Sequence, residues 1–417
     1  MRSFLPLIRA EWQLLLFGFA MTFGSSLGQT FFISLFSADI RAELDLGHGS
    51  FGAVYSAATL ASAILLLWTG ALIDRMDLRR FSYLIISGLA VGCFLLATAQ
   101  GVVTLFIAIL ALRHLGQGLM SMAGTTTMVR YIDSHKGKAN ALSGIGYSVS
   151  EAVLPSLVIA LLALLGWRHS WIVWGAIALV VLPLMVRWLL HGHELRHQGY
   201  LRSMATPDEG GATSAIPLQR QWTRNEMVLD PVFYLCLPAL LALPLLFTGF
   251  MFHQVHLVEF KGWSLTLWGT LYVLYAVTTT MAKLYAGLLI DKLTATRLLP
   301  VMALPLAAGL MLLASHNHIS VAFGFMFLLG LAVGTYSTVA SPFYAERYGT
   351  LHLGSIKSLT TALMVFSSAL SPVVMGWAID AGITIDTMAV WSAGYVVLAS
   401  ILAGAGVRRI KRESGPG

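Results

Sequence analysis

At 417 residues the chain is long enough for two or three soluble domains. A composition of 57% hydrophobic and only 11% charged residues excludes that reading, because a water-facing surface carries about 25% charge. The same composition, with a mean hydropathy of +0.77, also excludes disorder, collagen, coiled coil and a secreted disulfide scaffold, and the net charge of +7 reads first as membrane topology.

A helix crosses the hydrocarbon core with about 20 apolar residues. Twelve such runs follow one another: 12–38, 49–73, 81–99, 102–129, 138–165, 169–190, 231–258, 265–290, 297–315, 319–345, 354–380 and 386–406. They are long and rich in Leu, Ala and Gly, without the roughly 10-residue alternation of a membrane barrel, so an all-α membrane protein is predicted. The first run is too long for a signal-peptide core and has no obvious cleavage site, so it is read as retained. Cys93 and Cys236 both lie in apolar runs and make neither a disulfide framework nor a zinc site.

Twenty-one of the 26 Lys and Arg residues fall on one side if the N-terminus is cytoplasmic. Only Arg41, Arg168 and Lys261 fall in outer loops, while Arg113 and Lys283 lie within spans. Both termini are therefore expected in the cytoplasm, with the chain in the inner membrane of a cell. The segment 191–229 is the only long polar stretch. Its Pro207, Pro217, Gly210–Gly211 and mixed charges read as a cytosolic linker between a bundle at 1–190 and another at 230–417.

Sliding the sequence by 217 residues superposes the two bundles. Gly52 meets Gly269, Tyr55 meets Tyr272, Gly70 meets Gly287 and Asp74 meets Asp291. Arg80 meets Arg297, Gly92 meets Gly309, Arg130–Tyr131 meets Arg347–Tyr348, Gly137 meets Gly354 and Pro155 meets Pro372, all without a gap. Each copy holds six spans, so the copies are parallel, and such repeats imply alternating access around a site between them.

The residues Gly70-Ala-Leu-Ile-Asp74-Arg75-Met-Asp-Leu-Arg79-Arg80 resemble the loop 2–3 signature of the major facilitator superfamily. Gly287-Leu-Leu-Ile-Asp291-Lys292 resembles its weaker copy in loop 8–9, and Arg113-His-Leu-Gly116-Gln117-Gly118 resembles that family's motif in span 4. The resemblance implies the fold of two parallel six-helix bundles. It also implies that Asp74 meets span 11 near Gly354 and that the signature loops form a latch. Arg75, Arg80, Arg130, Lys292, Arg297 and Arg347 are its expected cations, and Asp74, Asp133, Asp291 and Glu346 its expected acids. The bland alternative is that these charges only set topology.

An ionisable residue within a span is a functional hypothesis. Arg113 lies about 14 Å into span 4 and Glu151 about 20 Å into span 5, at 1.5 Å per residue. They are read either as a structural ion pair or as a pair handling substrate and proton. Tyr272, Ala276, Thr279 and Lys283 recur on one face of span 8. Lys283 either snorkels to the interface or faces a cavity. In the second case the intramembrane charge sums positive and favours an anionic substrate.

The monocarboxylate porter and oxalate:formate antiporter branches, which the chain resembles in a basic span-8 residue four before Gly287, imply a carboxylate. Ser25, Ser26, Gln29, Gln117, His253 and Gln254 join Arg113, Lys283, Thr279 and Tyr272 as expected lining residues, since spans 1, 4, 7 and 10 line the cavity in that family. Glu151 or His253 is expected to take the coupled proton.

His193 and His197, four apart with Glu194 between, fit a zinc-protease spacing. No clear third ligand follows, and a protease has no need of the duplication, so the match is read as chance. No Gly-rich nucleotide loop ending in Gly-Lys-Ser/Thr is present, which argues against ATP drive. The expectation is a monomeric, non-enzymatic secondary transporter with no cofactor, no metal and no nucleic-acid partner. Its cargo is a small organic anion moved with a proton or by exchange. The alternative is proton-driven efflux of hydrophobic solutes by the same fold.

Overall fold

The computed structural model describes residues 5–132, 136–194, 197–198 and 220–413, with the side chains of Leu5, Asp74, Arg75, Val129, Lys136, Asp291 and Glu413 excepted. The expected latch residues Asp74, Arg75 and Asp291 therefore lie outside the described side chains, as does the whole of Asp133. The linker expected at 191–229 is described only at its two ends.

The chain divides into two compact units, Met1–Leu44 with Ala57–Ile216, and Asp45–Ser56 with Pro217–Gly417. In the first lie α1 (Leu5–Gly24), α2 (Ser37–Leu44) and most of α3 (His48–Thr69). They are followed by α4 (Leu78–Ala97), α5 (Val102–Ala111), α6 (Ser121–Tyr131) and α7 (Lys136–Leu189). The second holds α8 (Arg224–Leu229), α9 (Pro231–Phe252), α10 (Gln254–Phe260), α11 (Leu265–Leu293) and α12 (Leu304–Ser315). It ends with α13 (Ile319–Tyr348), α14 (Leu353–Asp380) and α15 (Ile385–Glu413).

Nine helices among the described residues are long and apolar enough to cross a membrane, or ten if the pair Pro6–Gly28 and Thr30–Leu44, bent by 47°, is one span. One of them, Gly137–Leu189, runs for 53 residues. At 1.5 Å per residue that is about 80 Å, more than twice the ~30 Å hydrocarbon thickness. It is broken where Gly166 takes φ +71°, which a residue with a side chain rarely adopts. Leu67, Leu164, Leu184, Leu284, Leu288 and Ile401 are all at least 60% exposed. Large aliphatic side chains standing out on successive helices are tolerated in lipid and not in water, so the chain is a multi-pass membrane protein.

Helix starts follow their caps. Asp77 accepts the N–H groups of Arg79 and Arg80 at 3.0 and 3.1 Å and opens α4. Asp230 accepts from Val232 at 3.0 Å ahead of Pro231 at the first turn of α9. The linker re-enters through a capping box. Glu226 accepts the Thr223 N–H at 2.7 Å and its hydroxyl at 2.9 Å, and these bonds, the backbone one first, hold the Glu226 carboxyl below the usual carboxylate range.

Glycines set the closest helix crossings, and one of them is duplicated. A Cβ on Gly92 would lie 3.2 Å from the Cβ of Ala111, and one on Gly309 would lie 3.2 Å from the Cβ of Leu328. Both partners of the second contact stand 217 residues beyond those of the first, so the repeat read from the sequence recurs as a packing contact inside each unit.

The structure interrupts several of the expected spans: the run 49–73 at Gly70, the run 231–258 at His253, the run 297–315 by turns at 299–303, and the first run most of all. The run 12–38 is not a continuous helix. It breaks into a 3-10 turn at Ser25–Gly28, an extended Gln29 (ψ 153°) and a short helix at Thr30–Ile33. The run 102–129 stays helical but widens into a π-helical segment, Leu112–Met120. The two irregularities meet. A Cβ on Gly28 would sit 2.2 Å from the Leu112 carbonyl oxygen and 2.7 Å from the Gln117 nitrogen.

Gly28→Ala is therefore expected to force the π segment aside and cost about 1–3 kcal/mol. Gly144→Ala, with nothing within 4 Å, is expected to leave stability unchanged or slightly raised. Melting of the purified proteins in detergent checks the pair, and equal effects would refute the close-crossing account.

Candidate functional site

In the first unit the irregular segments hold the buried charge. Arg113 stands at the second position of the π segment and is 4% exposed. Its Nη1 donates to the Gly28 carbonyl at 3.0 Å and its Nε to Thr59 Oγ1 on α3 at 3.1 Å. The helix break at Gly28 is thus answered by a charged donor from another helix. That is what hydrocarbon demands of any carbonyl without its own helical partner.

Around the same break, Ser25 donates to the Thr22 carbonyl at 2.7 Å, and the Ser26 and Ser150 hydroxyls share a hydrogen bond of 2.6 Å. Tyr147 and Ser121 meet through their hydroxyls. Glu151 is half-buried one turn beyond Tyr147 on α7, and Gln29 and Gln117 are half-buried on the two irregular segments. The structure thereby gathers Ser25, Ser26, Arg113 and Gln117 around one break. Thr59, Ser121, Tyr147 and Ser150 were missed by sequence reasoning. The dense small-polar run Gly24-Ser25-Ser26-Leu27-Gly28-Gln29 was the available signal for them.

In the second unit the expected polar stripe on α11 divides. Tyr272 (1% exposed), Ala276 (5%) and Thr279 (2%) are packed inside, whereas Lys283 is exposed. The cause is the crossing of α11 with α13. Cβ atoms on Gly330 and Gly334 would fall 2.7 Å from the Tyr275 carbonyl oxygen and 2.5 Å from that of Thr279. Two glycines draw the backbones together, so the face carrying Thr279 is a packing seam.

Tyr272 serves a buried network. Its hydroxyl donates to Gln254 Oε1 at 2.7 Å, and Trp268 Nε1 donates to the same oxygen at 2.8 Å. Neighbouring His253, at the break between α9 and α10, meets the Pro372 carbonyl oxygen through Nε2 at 2.9 Å. A carbonyl only accepts, so Nε2 carries the hydrogen and any added proton enters at Nδ1.

Three of the expected latch residues, Arg130, Glu346 and Arg347, have partners inside their own units. Arg130 donates to the Ile73 carbonyl at 2.8 Å. Glu346 accepts the N–H groups of Ala295 and Thr296, both at 2.8 Å, and so caps the short helix Ala295–Leu298. Arg347 pairs with Asp230 at 3.1 Å, and Tyr348 donates to the same carboxylate at 3.2 Å. Asp230 was not among the expected acids. Arg80, Lys292 and Arg297 are exposed. In the declined zinc spacing, His193 packs its ring on Tyr131 at 4.5 Å, and His197 Nδ1 bonds the Tyr131 hydroxyl at 2.9 Å.

Residues 18–271 match the family model described as Major Facilitator Superfamily. A relative in Escherichia coli (strain K12), the uncharacterized MFS-type transporter YhjX, is 22% identical over 348 residues, covering 79% of this chain and 81% of the relative. Among solved structures, the nucleoside transporter NupG superposes with a TM-score of 0.72 at 15% identity, over 95% of this chain and 98% of its own. A bacterial homologue of the human lysosomal transporter Spinster, in an inward-facing and unoccupied conformation, superposes with a TM-score of 0.71 at 13% identity, over 95% and 96%.

Gln254→Leu removes the acceptor shared by two buried donors. It is expected to cost about 1–3 kcal/mol for each orphaned group, whereas Gln254→Glu keeps an acceptor and costs less. Thermal unfolding of the two variants, with Tyr272→Phe as a partner in a double-mutant cycle, measures the coupling.

Proposed function

The chain belongs to the major facilitator superfamily, and from that membership we propose a secondary transporter that moves a small organic anion, a monocarboxylate, together with a proton or by exchange. That it is a transporter follows from the family and the relatives. The cargo and the coupling are proposed from the residues that follow.

The observation that carries the reading is Arg113, a guanidinium buried on a π-helical segment against a broken helix. Such irregular backbone in hydrocarbon is found where it is buried in protein or lines a cavity. π segments are frequent at functional sites. Lys283, exposed on α11, supplies a second cation. As an ammonium it acts on a carboxylate as a point charge, without the two-pronged fit of arginine.

Gln29 and Gln117, half-buried beside the break, are the neutral groups proposed to orient the substrate, and Glu151 or His253 the groups proposed to carry the proton. Tyr272, Thr279 and Gln254, buried within the packing of the second unit, are proposed as further substrate-binding residues. The loops around Asp74, Arg75, Arg80 and Arg130, with their copies at Asp291, Lys292, Arg297 and Arg347, are proposed as the gates, with Glu346 anchoring the second of them.

We also infer twelve spans with both termini cytoplasmic. The count takes the bent first pair as one span, divides Gly137–Leu189 at Gly166, and extends the short apolar helix Leu304–Ser315 into a full crossing. The orientation rests on the distribution of Lys and Arg.

A thermal-shift screen of small carboxylates on purified protein tests the cargo, with nucleosides, the cargo named for NupG, as the neutral control. A carboxylate present at 100 times its dissociation constant is expected to stabilise the protein by about 2.7 kcal/mol. Lys283→Ala, at an exposed position, is expected to weaken binding by about tenfold or more, equal to about 1.4 kcal/mol. If no carboxylate stabilises the wild type, or if wild type and Lys283→Ala respond equally, the anion reading fails.

A further inference from the structure

One end of the second unit gathers three imidazoles. His48 opens α3, His253 follows α9 and His256 lies in α10. The ring centroid of His48 is 4.5 Å from that of His256 and 5.7 Å from that of His253. His48 and His256 play no part in the site described above.

The cluster lies beside a tightly made seat. Asp380, the last residue of α14, accepts the His48 N–H at 2.9 Å and the Gly49 N–H at 2.7 Å, placing a carboxylate on the positive N-terminal end of α3. Glycines bring the two helices together. A Cβ on Gly49 would fall 2.2 Å from Trp377 Cδ1, one on Gly52 would fall 2.4 Å from the Pro372 oxygen, and one on Gly376 would fall 2.5 Å from the His48 oxygen. The Pro372 oxygen is also the acceptor for His253 Nε2, so one imidazole and the seat share an atom.

The charges at this end can be named element by element. His48 lies on α3, His253 and His256 on the α9–α10 break, and Asp380 on α14. Asp45 precedes α3, Glu259 lies on the last turn of α10, and Lys261 just beyond it is paired with Asp386 of α15 at 2.6 Å. Phe252 packs on Phe51 at 5.3 Å and edge-on to His253 at 5.0 Å.

The Asp380 carboxylate accepts the backbone N–H of His48, so a proton on the His48 ring adds charge to the residue that the seat holds. A second imidazolium meets a like charge at ring distances of 4.5–5.7 Å, together with the positive end of α3.

We propose that His48, His253 and His256 form a proton-binding site, and that its filling by more than one proton unseats the first turns of α3 from Asp380. The seat is closed above the imidazole titration range and opens below it. This extends the reading of His253 as a proton-coupling residue. Its test reads the opening of the seat and not transport, so the two proposals fail separately.

The experiment uses full-length protein in lipid nanodiscs. Val54→Cys, buried in the seated stretch, and Thr384→Cys, exposed beyond α14, are labelled in parallel with a maleimide, while the native Cys93 and Cys236 are buried. The ratio of the two rates cancels the pH dependence of the thiol itself. It is expected to rise about tenfold between about pH 7.5 and about pH 5.5, the range in which histidine titrates.

His48→Gln and His256→Gln are each expected to cut that rise to less than about threefold, because either removes the pair whose rings stand 4.5 Å apart. Asp380→Asn is expected to raise the ratio at both pH values. A flat ratio in the parent protein overturns the site without recourse to any histidine variant. An undiminished response in the His48→Gln/His256→Gln double variant overturns it as well.

Discussion

A backbone carbonyl inside a bilayer has no water to turn to, and the structure is organised by how that demand is met where helices break. In the first unit the break at Gly28 leaves a carbonyl that takes Nη1 of Arg113. In the second unit it is the donor that stands at a break: His253, between α9 and α10, gives its Nε2 hydrogen to the Pro372 carbonyl of α14. Both donors come from a different helix, and both are cationic or able to become so. Each irregularity is therefore tied to a charge-bearing side chain. Moving that side chain and relaxing that backbone are one event, which is the kind of coupling a transport cycle requires.

The duplication makes the two halves comparable position by position. The Gly92–Ala111 contact recurs as Gly309–Leu328. Elsewhere the same helix crossing is solved in opposite ways. Arg113 has Gly330 as its repeat counterpart. In the first unit a guanidinium bonds Thr59 at this crossing, whereas in the second the helices touch, with Gly330 against the Tyr275 carbonyl. Arg130 and Arg347 likewise occupy one repeat position, but the first is held by the Ile73 carbonyl and the second by the Asp230 carboxylate. The duplicated scaffold keeps its small residues and several loop charges, while the partners of those charges and the residue at the Arg113 position have diverged. Buried positive charge consequently stands in one unit at a place where the other has only a glycine seam.

Much of the fold was legible in one dimension. Low charge, long apolar runs, the skew of Lys and Arg, and Asp, Arg, Gly, Tyr and Pro recurring at one offset need no contacts to be read, because they follow from the solvent each segment meets and from the copying of one unit. The family likeness rested on the same short loops. The identity of Arg113 as a buried cation was legible as well, since an ionisable residue deep in an apolar run stands out by itself.

Only tertiary structure decided what those residues touch. A helical wheel placed Tyr272, Ala276, Thr279 and Lys283 on one face, but Gly330 and Gly334 of α13 pack against the backbone at Thr279, Gln254 takes the Tyr272 hydroxyl, and of the four only Lys283 is exposed. The break at Ser25–Gln29 was written in small polar residues, yet its depth and its partner depended on a π segment some 85 positions away, which no local period encodes. The gathering of His48, His253 and His256 joins residues separated by about 200 positions. Hydropathy and charge report the medium around each residue, and so determine which segments are helices in lipid. Which faces meet is settled by contact distances between segments remote in sequence, and that information exists only once the chain is packed.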